Sequence, residues 1–402
     1  MGLGRQGGDP RRRARPRIPA CDGRPAPPAR RRRGRAPARD PALRPAARTG
    51  QPHHRRPAAK TRSRRRAGPP VPAVTHRRRP MRIASLAAAL LAPLAALAAE
   101  PLPSWTDGPT KTAILDFVAA TTDPASPDFV PPDDRIAAFD NDGNLWAEQP
   151  YYFQLQFALD RAAALAEADP DWAATPALEA AAAGDVEAVL GGGEAALLEV
   201  VGATHSGMSV EAFTAEVAAW LETATHPETG MRYRDMIYQP MLELLDHLRA
   251  SGYATYIVSG GGIDFIRAYA EEAYGVPPEQ VVGSQGAAAF EIVDGVPQVV
   301  KGPDLFFIDD KGGKPVGIAR HIGRRPVIAS GNSDGDLAML RWTTAGAGPR
   351  LALLLHHTDA GREFAYDRES HVGRLDEALD AADPEGWTVI DMARDWRRVW
   401  PE

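Results

Sequence analysis

Cysteine is nearly absent: the 402 residues hold one, Cys21. Nothing beyond it can form a disulfide, act as a thiolate nucleophile or offer sulfur to a metal. Acids are scarce in the first 80 positions, where Asp9, Asp22 and Asp40 face 24 Arg and 1 Lys, a net charge of +22. The same stretch holds 15 of the 37 prolines and shows almost no apolar periodicity. It cannot bury enough surface to offset its ordering entropy, so residues 1–80 are expected to be a disordered Arg/Pro-rich extension. Long apolar runs are missing too. The best, Leu86 to Leu97, falls short of the roughly 20 residues a membrane helix needs, so no stable membrane span is expected.

That short run has a different reading. Met81-Arg82-Ile83-Ala84-Ser85 is a small positive start, the Ala/Leu run follows, and Ala96-Leu97-Ala98-Ala99 supplies small residues for cleavage. Residues 81–99 thus have the layout of a secretory signal peptide. The simplest expectation is that translation starts at Met81 and that 1–80 is an upstream extension. The remaining 100–402 suit one large domain or a core with an inserted cap. The whole chain carries −5, so residues 81–402 carry −27. Such acidity argues against nucleic acid as a partner of the mature part; the basic tail could bind it only if it is made.

Helical spacing runs over Thr110–Thr121, Tyr151–Glu167, Pro176–Leu190, Val210–Thr223 and Pro240–Ala250. Thr175-Pro176 is a good helix start, a capping hydroxyl followed by proline. Arg135–Phe139 reads as a short buried strand. From Gly252 strands alternate with helices: strand Tyr253–Val258, helix Ile263–Tyr274, a hairpin around Asp294-Gly295 joining Phe290–Val293 to Val296–Val300, helix Pro315–Ile322, strand Pro326–Ala329, a helix from Leu337 and strand Leu351–Leu355. The alternation predicts an α/β fold, a Rossmann-like, mainly parallel sheet flanked by helices.

Chemistry gathers where strands end, the place where open α/β sheets bind ligands. Asp140-Asn141-Asp142-Gly143-Asn144 follows the first strand. A carboxylate there can be a nucleophile if a cation suppresses its repulsion with phosphate, and a second can serve as acid and base. Ser259-Gly260-Gly261-Gly262 ends another strand with a hydroxyl and a run of amides, a candidate anion site. Gly331-Asn332-Ser333-Asp334-Gly335-Asp336 is an oxygen-rich loop suited to a hard cation. Lys314, after Gly312-Gly313, could balance the negative charge; Lys301 competes for that place.

In this order the four segments resemble the motifs of the haloacid dehalogenase-like (HAD) hydrolase superfamily over about residues 135–356, and most the phosphoserine-phosphatase-like bacterial hydrolases, exported ones included. The resemblance implies a phosphatase acting on small-molecule phosphate esters, magnesium as cofactor and the bacterial periplasm as location. It places the nucleophile on Asp140, the acid/base on Asp142, the motif-two hydroxyl on Ser259 and the motif-three lysine on Lys314. Asn141, Gly143, Asn144, Gly260 and Gly261 are then candidates for substrate binding, and Asp140, Asp142, Asn332 and Asp336 for metal. Residues 148–240 take the position of a helical cap between motifs one and two, leaving 100–147 and 241–402 as core. Tyr151, His205, Arg232 and Tyr233 of the cap, and Trp146 and Gln149 nearer Asp140, are candidate substrate contacts. This chain departs from the pattern at Asn144, where Thr or Val is usual, and at Asn332, where an Asp metal ligand is usual. Asp334 is the rival ligand. Phosphotransfer on the same chemistry, and phosphate or metal binding without turnover, are the alternatives.

Overall fold

Residues 100–402 are described in the computed structural model. The extension 1–80 and the signal segment 81–99 lie outside the described residues. Seven strands form one sheet: β1 (Ile136–Phe139), β2 (Ala254–Gly262), β3 (Val281–Val293), β4 (Val296–Phe307), β5 (Ile328–Gly331), β6 (Leu351–His356) and β7 (Thr388–Asp391). Their order is β4-β3-β2-β1-β5-β6-β7. Every neighbouring pair is parallel except the β3–β4 hairpin. The sheet is therefore mainly parallel and α/β, as the alternation of strands and helices predicts.

The central strands are short and apolar because both faces are covered. All four residues of β1 are buried, as are all four of β5. Alternate residues serve opposite faces. Ala137 and Phe139 join the core under the helices Pro109–Thr122 and Gln239–Ala250, while Ala138, Val258, Ala329 and Leu354 face Ile318, Met339 and Leu340. From β1 the chain builds outward to β2 and β3 on one side, then to β5, β6 and β7 on the other. The reversal opens a crevice at the carboxyl ends of β1 and β5, and Asp140 and Asn332 each follow one of those ends.

Five α-helices lie in the chain between β1 and the helix Gln239–Ala250 that leads into β2: Phe153–Ala168, Pro176–Ala182, Val186–Gly191, Gly193–His205 and Val210–Thr223. They enclose a small core of their own around Leu155, Leu159, Leu178, Val189 and Val200. Phe157, Phe213 and Val217 pack instead into the main core. Thr175 caps its helix as expected, its side chain accepting from the amide of Leu178. The single helix expected over Pro176–Leu190 is two, broken at Gly184, whose φ of 71° leaves the helical region. Residues 193–205 form a helix that the Gly191–Gly193 run had obscured.

Three other expectations change. The strand expected to end at Ser259 does not stop there: β2 runs on to Gly262, with a register shift against β3 between Ser259 and Gly262. The helix expected over Ile263–Tyr274 is two short ones, Ile263–Arg267 and Ala270–Tyr274. The hairpin is far longer than its apolar tip, and its stem meets the inserted helices. There Lys301 donates its amide to Met208 O (2.8 Å), and the amide of Gly207 donates to Lys301 O (2.9 Å). Beyond residue 356 the helix Glu377–Ala382 and strand β7 complete the sheet edge. Among the described residues no helix is long and apolar enough to cross a membrane.

Leu354 is fully buried in β6. Leu354→Ala should lower the unfolding free energy by about 2–5 kcal/mol through lost burial and the cavity left behind, read by denaturant titration.

Candidate active site

Lys314 is the centre of the crevice. It stands at the start of the helix Gly313–His321 and is almost fully buried. Its ammonium lies 2.7 Å from Asp140 Oδ1 and 2.7 Å from Asp336 Oδ1, and donates to Val258 O at 3.0 Å. All three N–H bonds thus have acceptors. Burial works against its charge, but the two carboxylates outweigh that and hold the ammonium well above its ordinary range. Burial first, then Asp336, pushes the carboxyl of Asp140 upward, while Lys314 pulls it down. Lys301, the competing lysine, pairs instead with Asp264 and lies over the ring of Phe213.

The loop after β1 is wound tightly to aim two carboxylates. Asn141 O accepts from the amides of Asn144, Leu145 and Trp146. Gly143 turns the chain at φ 72°. A side chain there would also strike Asn332 and Glu148, so only glycine fits. Asn144 sits where a hydroxyl or methyl was the usual choice, and it works as a brace. Its Nδ2 donates to Asp140 O (3.0 Å) and its Oδ1 accepts from Ser330 Oγ (2.8 Å), joining β1 to β5. Asn141 turns its amide inward between the hydroxyls of Tyr269 and Tyr274. The side chains of Asn141 and Asn144 are therefore engaged within the scaffold.

Asp142 faces the motif-two segment. Ser259 Oγ, Asp142 Oδ2 and Gln154 Oε1 all lie within 3.4 Å of the point a Gly261 side chain would occupy. Gly261 keeps that space open, and its amide donates to Ser259 Oγ (3.0 Å). Gly260 is exposed beside Asp310, a carboxylate the sequence had not singled out. Burial raises the carboxyl of Asp142 to about 6.

The loop after β5 divides its acids between tasks. Asp336 Oδ2 accepts from the amides of Asn332 (3.0 Å) and Ser333 (3.1 Å), while its Oδ1 holds Lys314. With both oxygens so engaged, Asp336 fits the orienting of Lys314 better than direct metal ligation. Asp334 turns away altogether, accepting from the amides of Asp376 and Ala378 at the helix Glu377–Ala382. Asn332 Nδ2 donates to Glu148 Oε1 (2.8 Å), whereas Asn332 Oδ1 is buried with no partner. An orphaned buried oxygen just past the end of β5, the strand that pairs with β1 below Asp140, fits a hard, oxygen-seeking cation. Among the described residues no three Asp, Glu, His or Cys side chains group as a ready-made metal site. The candidate set is two aspartates and an amide oxygen.

Residues 137–341, just over half of the chain, match the model of the haloacid dehalogenase-like hydrolases. The chain belongs to that family. Among solved structures, the hydrolase is similar to a functionally unknown protein from Anaerococcus prevotii at 16% identity, over 62% of this chain and 86% of that one, with a TM-score of 0.41. A protein of unknown function from Bordetella pertussis aligns at 17% identity over 64% and 98%, with a TM-score of 0.40. A phosphoserine phosphohydrolase-like protein from Francisella tularensis aligns at 15% over 65% and 95%, with a TM-score of 0.35. No curated protein matches.

The substrate contacts expected from the inserted segment of this hydrolase are engaged elsewhere. Trp146 is buried against Phe153 and Tyr269 and donates to Tyr233 O. Gln149 donates to Val372 O, Tyr151 to Gln156, and Arg232 to Asp235. Tyr233 is buried and stacks on Trp220. His205 lies in a directed chain. Thr204 Oγ1 donates to Val200 O (2.7 Å), so it accepts from His205 Nδ1 (2.8 Å). His205 Nε2 is then the acceptor for Gln154 Nε2 (3.1 Å), and Gln154 Oε1 accepts from the amide of Gly262 (2.8 Å). Gln154, of the helix Phe153–Ala168, reaches the crevice at Gly261 and Gly262.

Sequence reading missed a second buried layer beneath the loop after β1. His357 Nε2 donates to Gly143 O (2.7 Å), and His357 Nδ1 lies 3.2 Å from Glu363 Oε2. Tyr238 donates to Glu363, and Tyr366 donates to Glu148 Oε1 (2.7 Å). Glu148 itself lies only eight positions after Asp140. A lone Glu beyond a motif carries no signal; its burial at 1% exposure is visible only in the fold.

Burial holds His205 neutral, lowering its pKa to about 3. Above pH 6.5 it is neutral in both folded and unfolded chains. Below that, only the unfolded chain takes up the proton, so stability falls as pH drops from 6.5 toward 3. Between pH 7 and 5 the protein should lose about 2 kcal/mol more unfolding free energy than His205→Asn, measured by denaturant titration at both values.

Proposed function

We propose that this hydrolase is a magnesium-dependent phosphatase that cleaves small-molecule phosphate monoesters through an aspartyl-phosphate on Asp140. The observation that carries the reading is the pair of carboxylates at the switch point. Asp140 is held by Lys314, and Asp142, two residues on, is turned toward Ser259 with its carboxyl near 6. A nucleophile and a separate acid/base are what two-step ester hydrolysis needs.

In the first step Asp140 attacks phosphorus, the bond to the ester oxygen breaks, and Asp142 gives that oxygen its proton. In the second, the Asp142 carboxylate takes a proton from water as the water oxygen attacks phosphorus and Asp140 leaves. An acid poised near neutral pH suits both roles. Ser259 Oγ and the Gly260 and Gly261 segment would meet the phosphoryl oxygens, and Lys314 would offset their charge. Asp336 keeps Lys314 in position. The Asp140 carboxylate, the Asp142 backbone carbonyl and Asn332 Oδ1 would hold the metal. A magnesium ion there would supply positive charge that offsets repulsion between Asp140 and the phosphate.

The inserted helices, with Gln154 reaching the crevice, would act as the cap that sets substrate choice. Residues 81–99 would direct export, placing the enzyme in the bacterial periplasm.

The test is release of phosphate from an aryl phosphate ester by the purified protein, with magnesium and with chelator. Release should require magnesium, and Asp140→Asn should lower the rate by roughly a thousandfold or more. An Asp140→Asn protein that keeps its activity would refute the scheme.

A further inference from the structure

The loop after β5 carries a neutral Asn332 where the family pattern places an acid, and a buried acid from another part of the chain stands against it. Glu148 is 1% exposed, and Asn332 is 1% exposed. Glu148 Oε1 accepts from Asn332 Nδ2 at 2.8 Å and from the Tyr366 hydroxyl at 2.7 Å. An ionised carboxylate oxygen only accepts, so it meets the amide through its NH2 end, not its oxygen. The amide orientation is therefore dictated by Glu148. Its consequence is that Asn332 Oδ1 is presented on the other side, buried and without a partner. The packing around the pair leaves little room for rearrangement. A side chain at Gly143 would come within 2.3 Å of both Asn332 Nδ2 and Glu148 Oε1, and one at Gly373 within 1.8 Å of Glu148 Oε1.

We propose that Glu148 is a positioning residue of the metal site. It fixes the Asn332 amide so that its oxygen faces the cation, and the acid and the amide act as one unit. The inference rests on the metal-assisted reading above but is separable from it. Without Glu148 the amide loses the group that tells its two ends apart, and half of its orientations would point N–H bonds at the cation. Outer-shell partners of this kind change metal affinity by about 10- to 100-fold.

Magnesium titration calorimetry on the purified protein, with the magnesium-induced shift in thermal midpoint as a second readout, tests it without substrate. Glu148→Gln should weaken magnesium binding by at least about tenfold. Asn332→Asp alone sets two carboxylates against each other and should lower the thermal midpoint of the metal-free protein. The double variant Glu148→Gln with Asn332→Asp exchanges donor and acceptor. It should bind magnesium at least about tenfold more tightly than Glu148→Gln and recover the midpoint. A merely structural Glu148 would not give that rescue. Wild-type affinity in Glu148→Gln, or a double variant no tighter than Glu148→Gln, overturns the proposal. Should Glu148→Gln not fold, a double variant with near wild-type affinity supports the proposal and one that binds no magnesium overturns it. If the wild-type protein itself binds no magnesium, the metal reading fails and takes this inference with it.

Discussion

One buried ammonium between two carboxylates organises this molecule. Lys314 reaches Asp140 after β1 and Asp336 after β5, so it joins the two strand ends that form the crevice. Such a group is not there for stability. Desolvating three charges costs several kcal/mol each, and attraction at 2.7 Å repays it only when every proton and lone pair is matched. Here the third N–H bonds Val258 O, and the far oxygen of Asp336 takes two loop amides. Matching fixes the geometry of both loops at once. It also leaves an imbalance: one cation faces two carboxylates directly, with Asp142 and Glu148 close behind. Burial pushes the carboxyls of Asp140, Asp142 and Glu148 upward.

The fold was largely legible because its signal is local. Ile136-Ala-Ala-Phe139 has no polar residue to place, so it reads as a strand buried on both faces, and β1 is that strand. The helix expected over Val210–Thr223 has those bounds, and the side chain of Ser209 caps it. What failed was punctuation by glycine. Gly184 breaks a helix, as glycines at positive φ do. Gly191 to Gly193 instead joins two helices, and Gly260 to Gly262 continues a strand. Composition alone cannot separate these uses, because the same residue permits all three and packing selects one.

The site divides along the same line. Asp140, Asp142, Ser259, Lys314 and Asn332 lie inside motifs, and the fold brings them to one crevice. Asn141 and Asn144 lie in a motif yet turn their amides into the scaffold, since a loop wound that tightly needs side-chain braces. The residues that hold the motifs in place come from anywhere in the chain. Glu148, Tyr366, His357 and Glu363 span more than 200 positions and meet only in the folded protein. Motifs record the groups that must touch a ligand; their supports are set by topology, and no local pattern marks them.

The inserted helices add a different kind of constraint. They are tied to the core through the Lys301 backbone at the hairpin and through Gln154 at the amide of Gly262. The second tie is directional. It runs from Val200 O through Thr204, His205 and Gln154, and each member's role follows from the one before it. Protonating His205 would set two donors face to face at Gln154, and turning the Gln154 amide to relieve that would withdraw its oxygen from Gly262. The buried histidine and the glutamine at the crevice therefore answer to each other. The tautomer of one ring, enclosed among apolar neighbours such as Phe157 and Phe213, sets which end of the Gln154 amide meets Gly262 near Asp142.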